Sequence, residues 1–258
     1  MEDLNLISDF FENSSDFNSG FRLETHLHTS EASKCSNLSP ADAVRMYKKA
    51  GYDGIIVTDH FLTGNTSVDK TLPWETQVDL FFKGYENALE EGKKVGLRVF
   101  EGLEYSDFGT DFIVLGLSRD FIKNNPQMVQ MTPEEFLPFF RAAGAFVIQA
   151  HPFREASYIR EVRSYAEYVD AIEVINIGNR NSLFDDKAYE LASKYNKLMT
   201  AGSDCHHFGN EFFGAGILMN REPKDVNDLI GMLADGNCYS YFSRGVDFDS
   251  HKDTTVDP

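Results

Sequence analysis

Short β-rich runs alternate with helical stretches along most of this chain, and that alternation limits the fold to a largely parallel sheet wrapped by helices. The runs are FRLETHLHT (21–29), YDGIIVTDH (52–60), LRVFEGLEYS (97–106), DFIVLGL (111–117), AFVIQAHP (145–152), DAIEVINIG (170–178), LMTAGSDCHH (198–207) and GAGILMN (214–220). Helical spacing covers 39–51, 74–96, 132–145, 155–167, 184–196 and 222–236. The first helix has Ser39 to cap it, Pro40 at its first position and Gly51 beyond its end. No repeat or linker divides the chain. The expectation is one α/β domain over 21–245, its sheet closed or doubly wound, with an acidic leader (1–20) and a tail (246–258).

Polar residues collect at the ends of the β-rich runs. Side chains alternate along a strand, so His26 and His28 share a face and Leu27 points away. The later runs end in or carry Asp59-His60, Glu101 and Glu104, His151, Glu173 and Asn176, and Asp204-Cys205-His206. Five of the 7 histidines stand at strand ends; His207 and His251 are the others. In a β/α barrel those ends converge on one mouth, where catalytic groups gather. Imidazole with carboxylate suits zinc, manganese or iron, and there are more donors than one tetrahedral ion can use. His60 is expected to face the metal and Asp59 to support it from behind. Glu101 and Glu104, at odd spacing, cannot both face inward on a regular strand.

Composition excludes some functions. The chain has 258 residues and a formal charge of −17, which opposes an extended nucleic-acid surface. No apolar run is long enough for a transmembrane helix, and the leader lacks signal-peptide character. Three scattered cysteines (Cys35, Cys205, Cys238) imply no disulfide framework and suit a reducing cytoplasm.

The ordered pieces HLHTS (26–30), TDH (58–60), GLEYS (102–106), HP (151–152), EVIN (173–176) and AGSDCH (201–206) resemble the PHP family, named for polymerase and histidinol phosphatase. The resemblance spans about residues 21–220. It implies a distorted (β/α)7 barrel, up to three divalent metal ions and phosphoester hydrolysis. Matched by position, it implies metal ligation by His26, His28, His60, His151, Asp204 and His206, with Glu104 bridging. The chain departs from the family pattern in two places. Glu31 and Cys35 stand where an Asp or His is usual after the first motif, and each is a candidate ligand. Asp111 and Ile113 stand on the strand where many members carry a His. Arg154 and Arg180, on loops leaving the mouth, are candidate phosphate clamps, and His206 or Asp204 is a candidate for assisting proton transfer.

The resulting expectation is a cytoplasmic, histidinol-phosphatase-like hydrolase of a small phosphorylated substrate. It uses two or three ions of zinc, manganese or iron and has no membrane partner. Carbonyl hydrolysis by an amidohydrolase-type site and a non-catalytic metal-binding role are the alternatives. Oligomeric state is open.

Overall fold

The computed structural model describes residues 20–208, 214–237 and 239–243. Residues 1–19 of the leader, the whole tail (246–258) with His251, and Cys238 lie outside the described residues. Nine strands form one sheet: β1 (Phe21–Leu27), β2 (Gly54–Val57), β3 (Arg98–Asp107), β4 (Thr110–Leu115), β5 (Phe146–Gln149), β6 (Ala171–Asn176), β7 (Leu198–Gly202), β8 (Ala215–Met219) and β9 (Tyr239–Ser243). Their order is β7-β6-β5-β4-β3-β2-β1-β8-β9. β8 runs antiparallel to the start of β1, from Phe21 to Leu23. The far half of the same β1 edge is taken by the segment after β7, through Asp204 N–H to His26 O at 2.8 Å and His28 N–H to Cys205 O at 2.9 Å. One strand edge thus serves two partners, and the sheet curls into a nearly closed α/β barrel.

The helices are α1 (Pro40–Lys49), α2 (Trp74–Phe81), α3 (Lys83–Val95), α4 (Arg119–Asn124), α5 (Pro133–Ala142), α6 (Leu183–Lys194) and α7 (Val226–Asp235), with a 3-10 turn at Pro126–Gln130. β3 and β4 instead form a hairpin around Phe108 (φ 50°) and Gly109 (φ 89°), both left-handed, which is the backbone a two-residue turn requires. Leu23, Ile56, Phe100, Ile113, Leu115, Ile148 and Ile217 pack together as one buried cluster, so the barrel has a hydrophobic core of its own. Leu27, Ile55 and Val57 face the other way, onto Ala43, Val44 and Tyr47 of α1.

Two helical expectations need correction. The stretch 74–96 is two helices that meet at Phe82. The break lets α3 approach the first motif so closely that a Cβ on Gly84 would lie 2.4 Å from Asp59 Oδ2. Residues 155–167 form no helix. Their polar groups are taken by tertiary partners: Gln149 accepts from Tyr165 N–H at 2.8 Å and donates to Arg163 O at 2.7 Å. Arg163 in turn reaches Asp107 and Thr110 on the hairpin. Tertiary bonding overrides local propensity here.

Candidate metal centre

The strand ends bring His26, His28, His60, Glu104, His151, Asp204 and His206 together. They form three overlapping clusters whose donor atoms lie within 4.8 Å of one another: His26–His28–Asp204, His26–Glu104–His151 and His28–His60–His206. Two backbones are bent to achieve this. His151 (φ 26°) and Asp204 (φ 55°) occupy the left-handed region, at a cost of about 1–3 kcal/mol each. β1 carries a register shift between Glu24 and Leu27, which re-aims the residues that follow.

Hydrogen bonds decide which imidazole nitrogen faces the centre. His26 Nδ1 lies 3.0 Å from Glu173 Oε1, and a carboxylate there requires the proton on Nδ1. Ser33 donates its hydroxyl proton to Asp59 Oδ1 at 2.7 Å, so it accepts from His28 Nδ1 at 3.2 Å. His206 Nδ1 points at its neighbour's carbonyl, Asp204 O, at 2.8 Å. In all three rings Nε2 is left as the ligand atom. Asp59 therefore acts as a support: it also accepts from Thr29 N–H at 2.5 Å and Thr29 Oγ1 at 2.7 Å.

The spacing of these donors fits a metal. Two ligands 2.0–2.1 Å from a tetrahedral zinc stand about 3.3 Å apart. Around the first cluster the separations are 3.1 Å (His26 Nε2–Glu104 Oε1), 3.4 Å (His26 Nε2–Asp204 Oδ1), 3.1 Å (His28 Nε2–Asp204 Oδ1) and 3.2 Å (His26 Nε2–His28 Nε2). Glu104 spans the clusters, with Oε2 at 2.5 Å from His60 Nδ1 and Oε1 at 3.4 Å from His151 Nε2. Asp111 Oδ2 lies 3.9 Å from His151 Nε2.

The electrostatics match. Burial opposes ionisation of Glu104, but His60, His151 and His26 outweigh it and hold its pKa well below the carboxylate range. Asp204 is likewise held low against burial by His26 and Arg154. Burial and the neighbouring His206 and His60 keep His28 neutral, as a ligand must be. Cys35 has its thiol pulled down to about 6: burial opposes this, and His206 and His60 prevail.

A cavity of about 1000 Å3 opens above the clusters. Cys35, His60, Glu104, Asp111, His151, Asp204 and His206 line its floor, and Lys70, Phe108, Tyr158 and Arg160 line it farther along the chain. Arg154 also lines it. Its guanidinium is held by Asp204 Oδ2 at 2.6 Å, Asn176 Oδ1 at 2.7 Å and Asn179 Oδ1 at 3.0 Å. Three sequence readings are corrected or settled by placement. Glu31 is not brought to the centre; it accepts from Asn87 Nδ2 of α3 at 3.3 Å and Ser30 Oγ at 3.2 Å. Arg180 is exposed and lies outside the cavity lining. Glu101 faces away from the centre and pairs with Arg119 at 3.0 Å, as its odd spacing from Glu104 requires. Arg160, stacked 4.5 Å over the Phe108 ring, escaped the sequence reading because it lies in the stretch read as a helix.

Known proteins share parts of this arrangement. The model of a PHP-associated family matches residues 184–210, the stretch containing Asp204 and His206. An uncharacterized protein of Methanocaldococcus jannaschii is 30% identical over 136 residues, covering 49% of this chain; the chain spans about half, 55%, of that protein. A solved two-domain protein of Bacteroides vulgatus, containing a predicted PHP-like metal-dependent phosphoesterase, superposes with a TM-score of 0.62 at 15% identity, over 88% of this chain and 65% of its own. An amidohydrolase of Chromobacterium violaceum with bound sulfate and no metal superposes with a TM-score of 0.50 at 16% identity, over 74% of this chain and 89% of its own. At these identities the solved structures speak to the fold. Motifs, matched segment and barrel resemble those of PHP proteins. The His/Asp/Glu clusters could hold metal ions.

Proposed function

We propose that the chain is a phosphoesterase acting on a small phosphorylated substrate, a phosphate monoester or nucleotide-like ester, with two or three divalent ions of zinc, manganese or iron. The observation that carries this reading is the set of three overlapping donor clusters on the floor of one cavity. His26, His28, Glu104 and Asp204 would hold one ion. His151 would hold another with Glu104 bridging, and His60 and His206 a third, with Cys35 beside them. Such ions, when bound, make a water acidic enough to deprotonate near neutral pH and polarise the phosphoryl oxygens.

The protein's own groups do the rest. Arg154 pins one oxygen of Asp204, so the other stays aimed at His26 and His28. Arg160 and Lys70 place positive charge along the cavity, where a phosphorylated ligand needs it in a chain of net charge −17. Burial of Glu104, His26 and His28 excludes bulk water, so these charges act in a medium of low polarisability. No helix among the described residues is long and apolar enough to cross a membrane, and Cys35 and Cys205 are free thiols; both suit a cytoplasmic setting.

The test is phosphate release from a panel of small monoesters and diesters, with metal-stripped protein refilled in turn with manganese, zinc and iron. Turnover that returns with metal and is lost in His151→Ala supports the reading. Binding of two or more ions without turnover of any ester moves the assignment to carbonyl hydrolysis or a non-catalytic role.

A further inference from the structure

We infer that Glu173 is a positioning residue that fixes which nitrogen of His26 faces the metal centre. The inference rests on the metal-dependent reading above. β6 contributes no donor to the three clusters, yet Glu173 is buried among them. Oε1 lies 3.0 Å from His26 Nδ1. Oε2 accepts from the His151 backbone N–H at 2.9 Å and from Asn176 Nδ2 at 2.8 Å. Every neighbour is a donor. A carboxylate can accept from all three, and an amide of the same shape cannot.

The surroundings leave no way to accommodate the amide. In Glu173→Gln, an Oε1 turned toward His26 sets the new NH2 against the N–H of His151 and the NH2 of Asn176. Turned over, the NH2 donates to His26 Nδ1 and drives the ring proton onto Nε2, the nitrogen that faces Glu104 and Asp204. Asn176 cannot relieve the conflict by flipping, because its Oδ1 accepts from Arg154 at 2.7 Å. The His151 donor is backbone and cannot flip at all.

The backbone is shaped around the same pair. A Cβ on Gly202 would lie 2.6 Å from His26 Cβ and 2.8 Å from Glu173 Oε1. Like β1, β6 carries a register shift, between Glu173 and Ile175. Through one side chain β6 thus ties the ring of His26 on β1 to the strained backbone of His151 after β5. Through Asn176 and Arg154 the same network reaches Asp204.

The experiment is a zinc titration of metal-stripped wild type, Glu173→Gln and Glu173→Ala. The expected result is a loss of about 10–100-fold in zinc affinity at the centre containing His26. Gln should lose at least as much as Ala, because it imposes the wrong tautomer while Ala leaves the ring free to choose. A carboxylate with only a packing role predicts the opposite order, with Gln near wild type and Ala impaired; that order overturns the inference. A second readout uses the wild type alone, so it survives a variant that does not fold. Long-range 15N spectra of the zinc-loaded protein should show His26 protonated at Nδ1 and ligated at Nε2, and ligation through Nδ1 overturns the inference. Wild type that takes up no zinc overturns the metal reading itself. Wild type and Gln binding equally well removes only the role of Glu173.

Discussion

The two halves of the centre are built differently. The inner half, His26, His28, Glu104 and Asp204, is almost fully buried, and His26, His28 and Asp204 each have a partner that fixes their orientation. The outer half is more open: the side chains of His60 and His206 are 15% and 20% exposed, and Cys35 is half-buried beside them. The inner half stands on β1 and β3 (His26, Glu104) and directly after β1 and β7 (His28, Asp204). The outer half depends on the loops after β1, β2 and β7. A site of this kind combines a rigid floor with an adjustable rim, and sulfur sits on the adjustable side.

His28 belongs to both halves, so His28→Ala breaks the comparison outright. Loss of ions worth several kcal/mol to the transition state should lower kcat by about a thousandfold or more, with metal content by mass spectrometry falling in parallel. Gly202→Ala tests the inner half alone. Its Cβ overpacks His26, so melting of the metal-free protein should show a loss of about 1–3 kcal/mol, with little effect on ligands of the outer half. Cys35→Ser tests the outer half. Zinc affinity there should fall at least about tenfold while manganese binding changes little, as read by competition with a chelating dye.

Removing the metal should expose the charge balance of both halves. Despite burial, nearby carboxylates raise His26 and His60, and Cys35 and Asp204 raise His206; these groups stabilise the fold below about pH 6.5, and that contribution is lost as pH rises through their higher folded values. Burial raises Glu24 to about 7 and Asp59 to about 6, which also weakens the fold as pH rises from about 4. Glu104 and Asp204 act on the acid side, contributing above about pH 4 and losing that contribution only well below it. In denaturant melts of metal-free protein these groups should give a decline toward pH 8, offset in part by His28 and Cys35, whose lowered values favour the fold as pH rises. Zinc should reverse the decline, since protons compete with it for His nitrogen. Glu31→Gln is the smallest case: activity and metal content should stay within about twofold, because exposed substitutions away from special features change little.

Much of the inner half was legible in the sequence because strand periodicity is a local rule. His26 and His28 inward with Leu27 outward follow from spacing alone; spacing also allows only one of Glu101 and Glu104 inward, and it is the family resemblance that picks Glu104. What was not legible came from contacts distant in sequence. The helix expected over 155–167 is dissolved by Gln149 and Arg163, whose partners lie on other elements. Glu31 and Cys35 sit four residues apart in one loop, and only the path of that loop past Asn87 and His206 separates them. Arg180 follows β6 as Arg154 follows β5, and only Arg154 meets a carboxylate of the centre. The role of Glu173 needed three donors from three places, a pattern no single motif displays.

The shared edge of β1 has a consequence for how the protein is made. His26 and His28 are synthesised early, but their backbone partners Asp204 and Cys205 come roughly 180 residues later. At about 5–20 residues per second, the first histidine pair waits on the order of ten to forty seconds for the strand that completes its site. The pairing is strongly non-local, so the chain must close its loop entropy before it gains the contact. The candidate metal centre is therefore completed late in folding, once the segment after β7 has met β1.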